Sequence, residues 1–555
     1  LFEEDMSTPF EISDRFTDQW ADLSPVDATS HGVAGRDHLC TDYSPDGEEM
    51  RADLYRSTRQ QLSGHLDHSD LVQAMASKVI VGWLDSRISD YDSRKWARDI
   101  NHISGPFQDT RDSFDVMPRA SGEDWDSICA RLNGFAGMLA GYRTSLAVGV
   151  EAGDTVAVRQ AESLLEQVEA SASEESRFLR FPDEADSVGI DSGRVTEAVD
   201  AARVACGDFA KWLRHSYLPA ANPQDAVGKE RYLQGADRFL GMALDPHETY
   251  DWGWSEVHRL RSEMGVTAAE IDPDLTVEQI VHLLDTDPDR SAGTRQEFVD
   301  FVFDIQKQAI DQLAGEHFEV PDEMRSISVN IAPPGGSLGA WYVGPSEDFS
   351  RPGSIWYAPG ERERIPYWQE VSTAYHEGFP GHHLQVATAV HEREKLSRFQ
   401  RSVVWYSGAG EGWALYAERL MDELGFFEKP EYRLGLLSSQ LFRATRVVVD
   451  IGTQLELRIP DHAPLHPGEK WDYSTAVDYM EKVGLNARDI AESEVKRYLG
   501  WVGQAISYKV GEREILKIRD EARARDGSAF DRKTFHSQLL EAGAIRLDLL
   551  REVML

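Results

Sequence analysis

The stretch His376-Glu377-Gly378-Phe379-Pro380-Gly381-His382-His383 decides how the rest of this chain is read. In the common zinc-protease motif H-E-x-x-H, two histidines four apart share one face of an unbroken helix and the glutamate polarises water. Here the fifth position is Pro380, and two further residues separate His376 from His382. Pro380 lacks an N–H and clashes with the carbonyl of His376, four residues back, so the helix must bulge or restart. Gly381 supplies the backbone freedom. A bulge that absorbs two residues brings His382 to where the fifth residue of the regular motif lies. On an ideal helix His383 returns to within about 20° of His376 but lies roughly 10 Å further along the axis, long for two ligands of one ion. His376 and His382 are the expected ligands, with His383 the alternative.

A catalytic zinc keeps three protein ligands and one open position, so the third ligand should come from another element. The segment 407–418 (SGAGEGWALYAE) begins 24 residues after His383 and reads as a glycine-rich entry into a helix. Glu411 stands in its first turn, where a carboxylate suits the helix dipole. Glu418, on the same face seven residues on, is the second candidate.

Four segments together, 376–385 (HEGFPGHHLQ), 411–418 (EGWALYAE), 443–452 (RATRVVVDIG) and 500–511 (GWVGQAISYKVG), resemble the signatures of the bacterial family numbered 885 among the domains of unknown function. Residues 228–240 (GKERYLQGADRFL) resemble its middle region. The resemblance implies a mainly helical, zincin-like fold of the gluzincin type, one zinc ion per chain, and His376, Glu377, His382 and Glu411 as metal-site positions. It supplies no substrate.

The expected chemistry follows from those groups. Zinc lowers the pKa of water from ~15.7 to about 7. Glu377, beside ligand His376, would take the water proton and pass it to the leaving amine. The oxyanion then needs a donor beyond the metal. The resemblance points to Tyr508 for this, while Lys509, Arg443 and Arg446 are cationic candidates for an oxyanion or a substrate carboxylate. Arg446 also stands four residues before Asp450, the spacing of a helical ion pair.

Composition bounds the partners. With 96 acidic against 58 basic residues the net charge is −38, which excludes a phosphate-neutralising nucleic-acid surface and disfavours anionic membranes. No run of 18 apolar residues is present, so no membrane-spanning helix is expected. Cys40, Cys129 and Cys206 are far apart and odd in number, which reads as reduced thiols. With an acidic N-terminal stretch unlike a signal peptide, this gives a cytoplasmic expectation.

Apolar residues recur at spacings of three and four over 53–85, 124–150, 156–178, 192–218 and 295–314, the amphipathic-helix pattern. We expect residues 1–320 to form a helical scaffold and 321–555 the catalytic portion, in one continuous body. Residues 326–359 depart from the pattern. SISVNIA, GAWYVG and SIWYAP are short alternating runs divided by turn residues, read as a small antiparallel sheet beside the metal helix. Residues 354–357, ending at Tyr357, are the expected free edge for an extended substrate. The glycine-rich 333–340 (PPGGSLGA) lacks the Lys-Ser/Thr of a phosphate loop. The expectation is a zinc-dependent metallopeptidase for short peptides. The alternatives are a hydrolase of another small amide, or a catalytically silent binding protein.

Overall fold

Polar caps open the helices and set their starts. Thr8, Ser121 and Thr276 accept from backbone N–H groups in the first turn of the helix that each precedes, and the side chain at N3 reaches back to each, which satisfies donors a helix start leaves open. In a computed structural model, described over residues 7–332 and 339–555, the protein is mainly helical, with two small sheets. The glycine-rich 333–338 and the acidic first six residues lie outside the described residues. The helices expected at 124–150 and 295–314 run Gly122–Ala152 and Arg295–Leu313. The helix expected at 53–85 is two, Pro45–Leu62 and Leu71–Asp92. Asp70 caps the second through the N–H groups of Val72 and Gln73, and this local cap outweighs the continuing apolar period.

The chain forms two compact units. The first holds the chain through Gly228 together with Ser397–Val403 and Ser493–Val502. Its core is aromatic: Phe178 meets Phe114 and Phe135 edge-on at 5.5 and 5.6 Å. Arg131 is fully buried there, and its guanidinium donates to Leu39 O, Ser113 Oγ and Thr29 Oγ1, among others, which offsets the cost of burying charge.

The second unit holds Lys229–Leu396, Val404–Glu492 and Gly503–Leu555. The division falls after Gly228, whereas the sequence reading set its scaffold and catalytic portions apart at residue 320. The reason is packing. Helix Pro246–Ile271 lies along helix Pro430–Gln454, and hydrogen bonds join their neighbourhoods, as from Tyr232 Oη to Asp450 Oδ2 (3.1 Å) and Tyr250 Oη to Arg458 O (3.1 Å).

Among the described residues, five strands belong to this unit. β1 (Ser291–Ala292) pairs antiparallel with β5 (Ile365–Pro366). β2 (Ile327–Ile331), β3 (Gly339–Val343) and β4 (Gly353–Ala358) form a sheet of order β2-β4-β3. β4 runs parallel to β2 and antiparallel to β3, with Trp356 opposite both Asn330 and Trp341. The sheet is thus mixed, not wholly antiparallel. Residues 354–357 lie in its central strand, not at an edge. β4 is buried on both faces, whereas β3 alternates between exposed and half-buried residues, and β3 is the edge strand beside helix Tyr367–Glu377.

Candidate metal centre

The helix Tyr367–Glu377 stops where proline requires. A cis peptide joins Phe379 to Pro380, and a second helix, His382–His391, starts afresh. The break leaves few polar groups open. Gly381 N–H donates to Tyr375 O (3.1 Å). Buried Gln306 donates to Ala374 O (2.8 Å) and accepts from Phe379 N–H (2.6 Å). Trp413 Nε1 donates to the carbonyls of Pro380 (3.0 Å) and Gly381 (3.2 Å). A Cβ on Gly381 would overlap the carbonyl of His376, so the position needs glycine.

This break turns the two histidines toward each other, ring planes at 86° and centroids 4.9 Å apart. Glu411 comes from helix Ser407–Glu423. Its Oε2 stands 3.3 Å from His376 Nε2 and 3.4 Å from His382 Nε2, and one ligand atom from each residue lies within 4.8 Å of the others. In a tetrahedral zinc site with bonds of about 2.0–2.1 Å, neighbouring donors stand about 3.3–3.4 Å apart. The donor set fits the ion in type, and its two His–Glu separations match that spacing. It is the one such group of His, Cys, Asp or Glu among the described residues.

The side chains behind the donors orient them. His376 Nδ1 lies 2.7 Å from Glu418 Oε1, and Glu418 Oε2 accepts from Ser372 Oγ at 2.5 Å. His382 Nδ1 meets Gln385 Oε1 at 3.3 Å, and Gln385 donates to Ala409 O. Glu418, two helical turns after Glu411, therefore orients a histidine and does not join the donors. Burial alone would lower the pKa of His376, but Glu411 and Glu418 push it up to about 10. Burial raises Glu411, yet the two imidazoles hold it well below the usual carboxylate range. Glu377 accepts no hydrogen bond from the described residues. Burial raises its pKa, opposed by the charges of His376 and His382.

The other expected site residues separate. His383 is committed on both nitrogens, Nε2 to Met324 O (2.8 Å) and Nδ1 to Tyr342 Oη (3.0 Å), and burial lowers it to about 4. It ties the second helix to the sheet. Tyr508 opens helix Ser507–Asp526, with Arg446 over its ring at 4.9 Å and Arg443 at 6.0 Å. Arg443 has no carboxylate partner among the described residues, and its charge reaches Glu377. Arg446 is buried against Phe442. Lys509 is corrected from a substrate contact to a structural cation. It is 1% exposed, with Nζ bound to Gln440, Glu512 and Glu256. Tyr357 does not stand on a free edge: it is buried in the central strand, edge-on to Phe298 at 4.9 Å.

The sequence reading missed Gln306, Ser372, Gln385, Trp413 and Trp405. Trp405 is 44% exposed, with its ring 5.7 Å from that of His382. Its one local signal is its place before the glycine-rich helix start.

A helical body with a two-histidine, one-carboxylate donor group is the class defined by these observations. The chain belongs to the family described as bacterial protein of unknown function (DUF885), which it matches over residues 25–554. No curated protein matches it. Among the solved structures that share its fold are two described as lipoproteins. One is a "putative lipoprotein" from Colwellia psychrerythraea, 23% identical, with 98% of each chain covered and a TM-score of 0.85. The other is a "putative lipoprotein of unknown function" from Shewanella oneidensis, 18% identical, covering 99% of this chain and 100% of that one, with a TM-score of 0.76. These neighbours overturn the cytoplasmic expectation, since lipoproteins are membrane-anchored. The reduced thiols do not decide the compartment: Cys129 and Cys206 are buried and Cys40 half-buried, and burial protects a thiol in any compartment. No helix among the described residues is long and apolar enough to cross a membrane.

Proposed function

We propose that this chain is a zinc-dependent hydrolase of the zincin type, a metallopeptidase that cleaves short peptides. The observation that carries the reading is the spacing of His376 Nε2, His382 Nε2 and Glu411 Oε2, at 3.3 and 3.4 Å, with the Glu377 carboxylate beside them. Those three residues would hold the ion, and bound zinc supplies Lewis acidity and brings the pKa of water from ~15.7 to about 7. A structural zinc site is closed by four protein ligands, and this donor set has three.

Glu377 accepts a proton from the attacking water and returns it to the leaving amine, the work of a general base whose pKa is raised toward neutrality. Glu418 holds the His376 ring through Nδ1 and so leaves Nε2 facing Glu411. Tyr508 offers a phenolic donor to the developing oxyanion. Arg443 attracts a substrate carboxylate. Trp405 gives an apolar wall beside His382. The location that goes with this reading is the one named for both structural neighbours, a lipid-anchored protein.

Metal analysis coupled to mass-spectrometric screening of peptide cleavage tests the proposal. One zinc per chain and a defined set of cleaved bonds are expected. Glu377→Gln should keep the zinc and lose about 10²–10⁴ in turnover. Full turnover in that variant, or a chain that takes up no zinc, would refute the assignment.

A further inference from the structure

A cavity of about 150 Å³ lies between the metal helix and strands β3 and β4. Glu370 and Thr373 line it from the helix, Tyr357 and Ala340 from the strands, Phe298 from below and Arg362 at the rim. Thr373 precedes Glu377 by four residues on that helix, so the cavity ends one turn, roughly 6 Å, from the proposed base. Its strand wall includes the edge strand β3.

Two observations mark the cavity as built for a polar guest. Tyr357 is 4% exposed, and its buried hydroxyl has no hydrogen-bond partner among the described residues. Such a group is costly to bury unless something meets it. Glu370 is the second. Burial raises its pKa to about 7, against which Arg362 and a hydrogen bond from Thr373 work only in part. Arg362 is exposed and donates to Pro359 O (3.3 Å), so its charge is screened by solvent. The interior of the cavity therefore holds one carboxylate and one idle hydroxyl, between apolar walls that suit a methylene stem.

We propose that this cavity is a specificity pocket for a cationic side chain of the substrate, a lysine-like ammonium or arginine-like guanidinium, with Glu370 as counter-ion and Tyr357 as acceptor. The proposal rests on the peptidase reading of the adjacent centre. The guest supplies the charge that Glu370 lacks and the partner that Tyr357 lacks.

The test has two arms. In the first, zinc-loaded protein is given matched peptides carrying lysine or norleucine at each position in turn. At one position relative to the cleaved bond, lysine should be favoured at least tenfold in kcat/KM. Glu370→Gln should bring that ratio to about one, Tyr357→Phe should lower it in part, and Glu363→Gln, an exposed acid, should leave it alone. No lysine preference at any position, or a preference that survives Glu370→Gln, overturns the proposal. The second arm needs no cleavage. Pentylammonium should raise the melting temperature of the wild type more than that of Glu370→Gln, with pentanol as control, and equal shifts overturn the proposal. If no peptide is cleaved but pentylammonium discriminates, the peptidase reading fails and the cation pocket stands.

Discussion

Glu418 separates a ligand from a residue that holds a ligand, and its replacement distinguishes them by size of effect. Its carboxylate is fully buried, 2.7 Å from His376 Nδ1 and 2.5 Å from Ser372 Oγ. A hydrogen bond to a charged group is worth about 1.5–3 kcal/mol, a neutral one about 0.5–1.5. Glu418→Gln keeps an acceptor for His376 and loses the charge, so about 1–1.5 kcal/mol of ligand orientation disappears, near tenfold in zinc affinity. Glu418→Ala leaves both Nδ1–H and the serine hydroxyl buried without a partner and should cost about 10²-fold, at the upper end for groups behind a metal ligand. Glu411→Gln removes a donor and should abolish tight binding. Competition with a chromogenic zinc chelator measures all three. If Glu418→Gln loses zinc as completely as Glu411→Gln, Glu418 is itself a ligand and the assignment of roles is wrong. If Glu418→Ala binds zinc like the wild type, the Nδ1 contact orients nothing.

His382→Ala should lose zinc, whereas His383→Ala should keep it and lower stability by about 1–3 kcal/mol, since it leaves Met324 O and Tyr342 Oη unpaired; zinc content and urea unfolding of the two variants read this directly. A Cβ on Gly511 would overlap the Gly408 carbonyl, and one on Gly412 would meet Gly511. Gly511→Ala should therefore force apart the helices that carry Glu411 and Tyr508, costing about 1–3 kcal/mol and weakening zinc binding, as unfolding and chelator competition would detect. Glu370 has its pKa raised from 4.5 to about 7 by burial. Between those values the folded chain binds more protons than the unfolded one, so stability falls as pH rises through that window and levels off above it. Urea titrations of the metal-free chain at pH 5 and pH 8 should show a larger loss for the wild type than for Glu370→Gln, and equal losses would contradict the burial of this carboxylate.

Local chemistry was legible in the sequence, and long-range pairing was not. Pro380 alone implies a broken helix, and a break that absorbs two residues favours His382 over His383 as the partner of His376. The apolar period likewise announced the long helices, except at 63–70, where the Asp70 cap divides one expected helix into two. The sheet defeated the reading because alternation is a property of one strand, while strand order is set by partners elsewhere. β2 and β4 pair in parallel across a connection that includes β3, and nothing in 354–357 says that it is covered on both sides. Lys509 failed for a similar reason. Its acceptors Glu256, Gln440 and Glu512 come from three different helices, so a lysine that resembles a substrate cation in sequence is a buried structural ion in the fold.

The helix break and the third ligand depend on one element. Trp413 and Glu411 are two residues apart on helix Ser407–Glu423. The indole of Trp413 holds the carbonyls of Pro380 and Gly381, while Glu411 reaches the imidazoles on either side of that break. A shift of this helix would move the carboxylate and release the break together. The regular H-E-x-x-H helix needs no such clamp, because its hydrogen bonds alone set the histidine spacing. The interrupted form replaces that internal constraint with an external one, anchored in turn by the close approach of Gly412 to Gly511. The glycine-rich 407–412 thus allows the second helix to come near enough for the carboxylate and the indole to act at once.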